Sequence, residues 1–259
     1  LYTLDIAAGR KAQVEFVSAN PTGPLHIGRT RGGVIGDTMA RLLSAVGYDV
    51  QREYYFNNAG NQMILLGESL KLRYLQALGH DVELDEEKHY QGDYLVEYGK
   101  AIAAEHGDAW VDATWQPFKE YAEERIFGWI KRSLKSIDIE HDNFFNEDSL
   151  FKNEEVWETL AEMKQNGHVY EAVHWEGATD EEIEKDKATE PAQWFRTTTF
   201  GDDKDRVLVK ADGIPTYTLP DIAYHRNKVQ RGFDLMINVL GADHGQQYKT
   251  VARGLKAVD

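Results

Sequence analysis

The pattern of apolar and polar positions from Val14 to Val50 predicts a strand, a loop, a helix and a second strand. β-forming residues open the stretch, and turn-forming residues then end the strand: Pro21, Gly23 and Pro24. The next apolar positions recur at helical spacing and share one face: Ile35, Met39, Leu42, Leu43 and Val46. Gly47 follows where a left-handed C-cap is favoured, so the stretch is predicted to be a strand-helix-strand unit.

Further strands and helices follow this unit. Asp49–Phe56 is predicted as its second strand and 137–146 as a third. A polar cluster, 57–61, ends the second strand, where ligands collect in open α/β sheets, although a plain Asn- and Gly-rich turn is the alternative. Apolar spacing predicts four helices, at 63–78, 94–105, 118–134 and 154–165.

From His168 onward the pattern changes to short strands separated by turn sequences. The predicted strands are 169–175, 194–200 and 206–210, which favour an antiparallel insertion. After it we predict a helix with Pro220 in its first turn, a strand at 233–240 and a last helix from Gln247. The fold class is therefore α/β, a parallel sheet with helical segments and a small antiparallel insertion. The expected divisions are 1–167, 168–212 and 213–259.

Composition and charge narrow the classes of function. The 259 residues carry a formal net charge of −15, which argues against a surface that binds nucleic acid throughout. Two acidic segments, 81–97 and 176–190, hold most of this charge and are interpreted as solvated. The absence of cysteine suits the cytoplasm and excludes thiolate metal sites. No apolar run suggests a membrane span, and the start at Leu1 suggests a piece of a longer protein.

The loop before the first helix holds the candidate chemistry. N–H groups at a helix start attract anions, and phosphate is the usual guest. Gly28 allows close approach of a ligand to the backbone, while His26 and Arg29 supply donors to phosphate oxygens. On the tetrapeptide alone, a histidine that caps or packs locally is an equal alternative.

Four stretches together resemble the arginyl-tRNA synthetases, which are class I aminoacyl-tRNA synthetases. They stand in the family's order, and the similarity extends over most of the chain: SANPTGPLHIGR (18–29), REYYFNNAGNQ (52–62), WFRTTTFGDDKDRVLVKADGIPTYTLPDIAYH (194–225) and INVLGADHGQQ (237–247). The resemblance implies the Rossmann-like parallel sheet of that class. It also implies a catalytic-domain fragment that lacks the rest of the second half and the domains that bind tRNA.

The resemblance implies an ATP site at the first turn. His26 and Gly28 would hold the phosphates and stabilise charge on the reacting phosphorus. Arg29 stands where the family usually has histidine, and an arginine keeps the donor and adds permanent charge. The full implied ATP-binding set is Pro24, His26, Gly28, Arg29, Gly241, Asp243 and His244. For the last three, a glycine-rich turn with a capping aspartate is the alternative.

The resemblance also implies an arginine pocket. A guanidinium offers five donors, so its pocket needs carboxylates. Glu15 and Asp221 are placed there, with Asn20 near the α-amino and carboxylate end, Tyr217 against the guanidinium or its stem, and Gln246 near the α-amino group. The alternatives are a water-facing strand-edge Glu15, an Asp221 favoured by the helix dipole, a core Tyr217, and the neighbouring Gln247 in place of Gln246.

The implied reaction forms arginyl-adenylate from L-arginine and ATP and then charges the 3′ end of tRNA(Arg). We expect Mg²⁺ on the phosphates, held by substrate oxygens and water, with no protein metal ligands. We further expect a cytoplasmic monomer that does not bind membranes. The alternatives are a fragment or paralogue that only binds ATP or the adenylate, and a nucleotidyltransferase with the same phosphate-binding turn.

Overall fold

The computed structural model describes residues 5–185, 187–241 and 245–258, without the side chains of Lys185 and Gln246. The strands are β1 (Lys11–Glu15), β2 (Asp49–Phe56), β3 (Asn143–Asn146), β4 (Val169–Ala172), β5 (Ala192–Phe195), β6 (Arg206–Val209) and β7 (Leu235–Asn238). The helices are α1 (Ile27–Ala45), α2 (Asn61–Ala77), α3 (Asp93–His106), α4 (Gln116–Lys135), α5 (Asp148–Lys152), α6 (Glu155–Gln165), α7 (Asp180–Lys185), α8 (Thr218–Gln230) and α9 (Gly245–Ala257).

The strands form two sheets. The larger has the strand order β3-β2-β1-β7, and β2 pairs with β3 in parallel, with Tyr54 opposite Phe144. The smaller has the order β4-β5-β6, and its pairs are antiparallel. The predicted α/β class with a small antiparallel insertion is confirmed. No helix in the described ranges has the length and apolar character needed to cross a bilayer.

The chain divides into two compact units. The first unit comprises Leu1–Val14, Leu42–Val50 and Glu147–Asp259, and the second unit comprises Glu15–Arg41 and Gln51–Asn146. In the first unit α8 contacts α6 and α9, with Leu160, Ile222 and Val251 buried. In the second unit α2 contacts α3 and α4, with Leu70, Tyr74 and Phe118 buried.

The buried face of α1 differs from the predicted one. Ile35 is 46% exposed and Leu42 is 63% exposed, whereas the helix buries a side that carries small residues and one acid: Gly33, Gly36, Asp37 and Ala40. A Cβ on Gly36 would lie 2.2 Å from the Phe16 ring, so the helix approaches the end of β1 too closely for a side chain. Hydrophobic periodicity does not detect this contact, because the method follows large apolar side chains and a glycine has none.

Several predicted strands are shorter than expected. The prediction for 194–200 fails after Phe195, because Thr197–Phe200 form a 3₁₀ turn. Asp205 stabilises that turn through Oδ1, which accepts hydrogen bonds from the backbone and hydroxyl of Thr198 at 3.0 and 2.8 Å. The strand predicted at 137–146 forms only at Asn143–Asn146, because the N–H groups of Ile137 and Ile139 donate to the Leu134 carbonyl oxygen in the turn that ends α4.

His141 lies in the aromatic core of the second unit. Its ring centroid is 4.3 Å from that of Phe16 and 5.4 Å from that of Tyr54. Nε2 is 3.2 Å from the Phe16 carbonyl oxygen, while buried Nδ1 has no hydrogen-bond partner among the described residues. Burial lowers the pKa of His141 to about 4, although the Phe16 carbonyl and nearby carboxylates oppose the shift. The imidazole is therefore neutral in the folded protein near pH 7.

This lowered pKa predicts that acid destabilises the fold through His141. Between about pH 6.5 and pH 4 the unfolded chain binds this proton and the folded chain does not, so stability falls as pH decreases. We expect His141→Phe to lose less stability over this range than the wild type, by on the order of 1–3 kcal/mol. Urea unfolding at several pH values measures the difference.

His80→Gln is the matched control, because it removes an exposed histidine. Parallel pH curves for the wild type and His141→Phe would contradict the assignment of a buried neutral imidazole.

Candidate functional site

The chain leaves β1 through two residues in the left-handed region, Val17 with φ 70° and Ser18 with φ 34°. This conformation is unfavourable for L-residues, and most of all for a β-branched one, at about 1–3 kcal/mol each. Surrounding hydrogen bonds stabilise it. Arg29 Nη1 donates to the carbonyl oxygens of Val17 and Ser18 at 3.3 and 3.4 Å, and Tyr55 N donates to Ser18 Oγ at 3.1 Å.

Glu15 ends β1 and is buried, with 5% of its surface exposed. Ser18 Oγ donates to its Oε1 at 2.9 Å. A buried carboxylate requires donors, because burial without them is costly. The alternative in which Glu15 faces water is therefore wrong, and the strained turn supplies one of its donors.

His26 caps the start of α1. The backbone N–H of Gly28 donates to His26 Nδ1 at 3.1 Å. An Nδ1 that accepts cannot carry the proton of a neutral imidazole, so the geometry assigns that proton to Nε2. The local-cap interpretation is thus confirmed. The cap leaves Nε2 as the donor of an exposed side chain at a helix N-terminus, where anions are favoured.

A cleft of about 320 Å³ opens beside this turn within the second unit. Four predicted residues line it, namely Asn20, Pro24, His26 and Arg29, together with Gln62 from α2. Its volume lies within the usual range for small-molecule sites. Arg29 both holds the strained turn and faces the cleft, so the permanent charge expected from the sequence lies at the cleft wall.

The start of α8 carries two further predicted residues. Tyr217 directly precedes the helix and is 84% exposed, so its core alternative is wrong. Asp221 lies in the first turn and is half-buried. Gln247 Nε2 donates to Asp221 Oδ2, which places Gln247, the residue left as an alternative to Gln246, on this carboxylate.

The structure leaves part of the predicted set undescribed. Asp243 and His244 lie outside the described residues, as does the side chain of Gln246. Gly241 is exposed shortly after the end of β7.

Sequence reasoning missed a buried polar network behind Asp221. Lys228 is fully buried, and its Nζ donates to Asn238 Oδ1 at 2.8 Å and lies 4.3 Å from the Tyr224 ring centroid. Asn238 Nδ2 lies 2.6 Å from His225 Nε2, and His225 Nδ1 lies 2.8 Å from the Asp221 carbonyl oxygen. This network links the end of β7 to the first turn of α8. Its signal was present, because His225 and Asn238 both fall within the resembling stretches.

The chain matches known proteins over nearly its whole length. The family described as tRNA synthetases class I (R), catalytic domain, matches residues 2–257. The arginine–tRNA ligase of Chlorobium phaeobacteroides is 48% identical over 249 residues, which are 96% of this chain and 43% of that relative. The arginine–tRNA ligase of Chlorobaculum parvum is 50% identical with the same coverage. The chain therefore spans less than half the length of these curated relatives.

Solved structures agree with this match. An arginyl-tRNA synthetase from Campylobacter jejuni superposes with a TM-score of 0.82 at 33% identity, covering 96% of this chain and 51% of that chain. An arginyl-tRNA synthetase from Thermus thermophilus gives a TM-score of 0.66 at 19% identity, covering 96% of this chain and 46% of that one, which shows the fold alone. The class I synthetase type of sheet expected from the resemblance is confirmed.

The cap at His26 predicts a sharp effect of a methyl group at Gly28. A Cβ there would lie 2.8 Å from His26 Cε1 and 2.9 Å from Nδ1, so Gly28→Ala must displace the imidazole. We expect calorimetry to show about 10-fold weaker binding of a non-hydrolysable ATP analogue, the equivalent of one hydrogen bond to a charged group.

Gly32→Ala is the matched control, because a Cβ at this position in the same helix meets nothing within 4 Å. Equal affinity in the two alanine variants would show that the orientation of His26 does not matter for nucleotide binding.

Proposed function

The chain belongs to the family of class I tRNA synthetases (R), catalytic domain, and from this membership we propose that it activates L-arginine with ATP within a longer protein. The product is arginyl-adenylate, and a second step transfers the arginyl group to the 3′ end of tRNA(Arg). The observation that carries the proposal is the cleft at the start of α1, where His26 and Arg29 present donors beside a helix N-terminus.

The ATP phosphates are proposed to bind at this cleft. The Nε2–H of His26 and the guanidinium of Arg29 supply donors to phosphate oxygens, and the dipole of α1 favours negative charge. Pro24 lines the same cleft, and Gly28 allows close approach. For the adenosine we propose Gly241, Asp243 and His244 on the resemblance alone.

The arginine substrate is proposed to bind through carboxylates and amides. Glu15 is a buried carboxylate and Asp221 a half-buried one, which suits a guanidinium that can only donate. Asn20 serves the α-amino and carboxylate end, and Gln246 serves the α-amino group. The exposed ring of Tyr217 is available to cover the guanidinium or its methylene stem.

The first step is an in-line displacement. An oxygen of the arginine carboxylate attacks the α-phosphorus of ATP, the bond to the bridging oxygen breaks, and pyrophosphate leaves with that oxygen. No protein nucleophile or base is needed, because the attacking carboxylate is already ionised. The chain's contribution is to align the two substrates and to stabilise charge on the phosphorus with His26, Arg29 and the N-terminus of α1.

Magnesium fits this site as a partner of the phosphates. Among the described residues no group of three histidine, aspartate or glutamate side chains is arranged to hold a metal ion. Mg²⁺ usually keeps several waters and binds substrate phosphates, so oxygen atoms of the nucleotide and of water suffice as its ligands. The ion would neutralise phosphate charge during the displacement.

The setting of the protein is proposed on coarser grounds. The absence of cysteine supports a cytoplasmic location, because disulfides are rare in that compartment and this chain cannot form one. We also propose that the protein acts as a monomer. The binding-only and nucleotidyltransferase alternatives are not favoured by any described feature, because the residues of the arginine site are present.

The proposal predicts a preference for the arginyl compound. Titration of the chain in a calorimeter with a non-hydrolysable arginyl-adenylate analogue and with its lysyl counterpart should show binding of the first at least about 10-fold tighter, since a lysyl ammonium cannot make paired contacts with carboxylates. Equal binding of both compounds would refute an arginine site, and binding of neither would assign the activity to the longer protein alone.

A second prediction isolates the carboxylate on α8. Asp221→Asn keeps an acceptor for Gln247 but removes the charge that a guanidinium requires. We expect binding of the arginyl-adenylate analogue to weaken by about 10- to 100-fold, the value of a charge-assisted hydrogen bond, with ATP-analogue binding nearly unchanged. The exposed Asp203→Asn serves as the control. Equal losses for both ligands would remove Asp221 from the arginine site.

A further inference from the structure

The polar stretch that follows β2 and the first turn of α2 together hold the side chain of Asn20. The backbone N–H of Asn57 donates to Asn20 Oδ1 at 2.9 Å. On the other side, Asn20 Nδ2 donates to Gln62 Oε1 at 3.0 Å. Asn20 and Gln62 both line the cleft beside His26.

The directions of these hydrogen bonds follow from donor chemistry. A backbone N–H can only donate, so the Asn20 atom that faces Asn57 must be the oxygen. The amide nitrogen of Asn20 therefore faces Gln62, and the side-chain oxygen of Gln62 must accept this hydrogen bond. The –NH₂ group of Gln62 is then turned away from Asn20. A flip of either amide would set two like atoms against each other, so the chain of bonds fixes both side chains.

The stretch itself is firmly held. Gly60 has φ 80°, which a glycine adopts without strain, and it turns the chain into α2. Asn58 Nδ2 donates to Glu123 Oε1 at 2.7 Å, and Asn146 Nδ2 donates to Asn58 Oδ1 at 2.8 Å. Lys119 completes the network with an ion pair of 2.5 Å to Glu123. The loop that orients Gln62 is thus tied to α4 and to the end of β3.

We propose that Gln62 is a ligand-binding residue of the cleft, whose amide N–H groups donate to an anionic oxygen once Asn20 has fixed their direction. The inference rests on the proposed function, because that function supplies the ligand. Two sources share the required chemistry: a phosphate oxygen of ATP and the carboxylate oxygen of arginine. Both oxygens carry negative charge, and a neutral amide donor binds either without adding a competing charge to Arg29 and His26.

Two substitutions separate donation from positioning. Gln62→Glu keeps an oxygen that accepts from Asn20 but replaces the donor group by a charged oxygen. Gln62→Ala removes both functions. Asn61→Ala is the matched control, since the neighbouring Asn61 is exposed and does not line the cleft.

Calorimetric titration of the full chain with inorganic pyrophosphate and with L-arginine gives the readout. For the ligand whose oxygen Gln62 binds, either pyrophosphate or L-arginine, we expect Gln62→Ala to weaken binding by about 5- to 10-fold. Gln62→Glu should weaken it further, because a carboxylate repels the anion. The Asn61→Ala chain should bind as the wild type does. Wild-type affinity of Gln62→Glu in both arms would overturn the proposal, because the donor would then be dispensable.

Side-chain amide NMR separates this inference from the proposed function. Pyrophosphate or arginine should shift the ¹H and ¹⁵N resonances of the Gln62 –NH₂ group, and Gln62→Ala should shift those of Asn20 in the ligand-free protein. A chain in which ligands shift the His26 resonances and leave those of Gln62 unchanged would refute the inference and retain the proposed function. A chain in which Gln62 responds but arginyl and lysyl compounds bind equally would retain the inference and lose the proposed specificity.

Discussion

The left-handed turn at Val17 and Ser18 is the constraint on which the cleft depends. It follows the end of β1, and it costs energy because both residues carry side chains. Two of the residues that contact this turn, Arg29 and Glu15, are also proposed to bind substrates. Arg29 holds the two carbonyl oxygens, and Ser18 links the turn to Glu15 and to β2. The buried carboxylate of Glu15 and the guanidinium of Arg29, at the start of α1, are therefore both hydrogen-bonded to the same turn.

Hydrogen bonds of fixed direction then determine which atoms face a ligand. The N–H of Gly28 donates to Nδ1 of His26 and leaves Nε2 as a donor. The N–H of Asn57 donates to the side-chain oxygen of Asn20. The amide nitrogen of Asn20 then donates to Gln62 and orients its side chain. In both cases a backbone donor, whose chemistry is unambiguous, sets the direction of a side chain. The second unit thus presents donors to the cleft, as binding of phosphate and carboxylate oxygens requires.

Hydrophobic periodicity predicted the element order well, because most helices here have one apolar and one polar side. The strand Asp49–Phe56 has its predicted limits, and the antiparallel insertion is confirmed. Periodicity failed for α1, where glycines rather than bulky residues make the close contact with Phe16. It failed at Thr197–Phe200, where Asp205 accepts hydrogen bonds from Thr198 and stabilises a turn in a sequence rich in β-formers.

The site was predictable only in part. The resemblance supplied the residues proposed to bind ligands, but it did not give their hydrogen-bond partners, because a resemblance identifies residues and not contacts. The Lys228–Asn238 and Asn20–Gln62 hydrogen bonds join residues that are 10 and 42 positions apart in the chain. Hydrogen exchange of the chain with the arginyl-adenylate analogue tests the central claim most directly. The account predicts slower exchange both at the start of α1 and at the start of α8. Protection at α1 alone would contradict it, because the chain would then bind a nucleotide without recognising arginine.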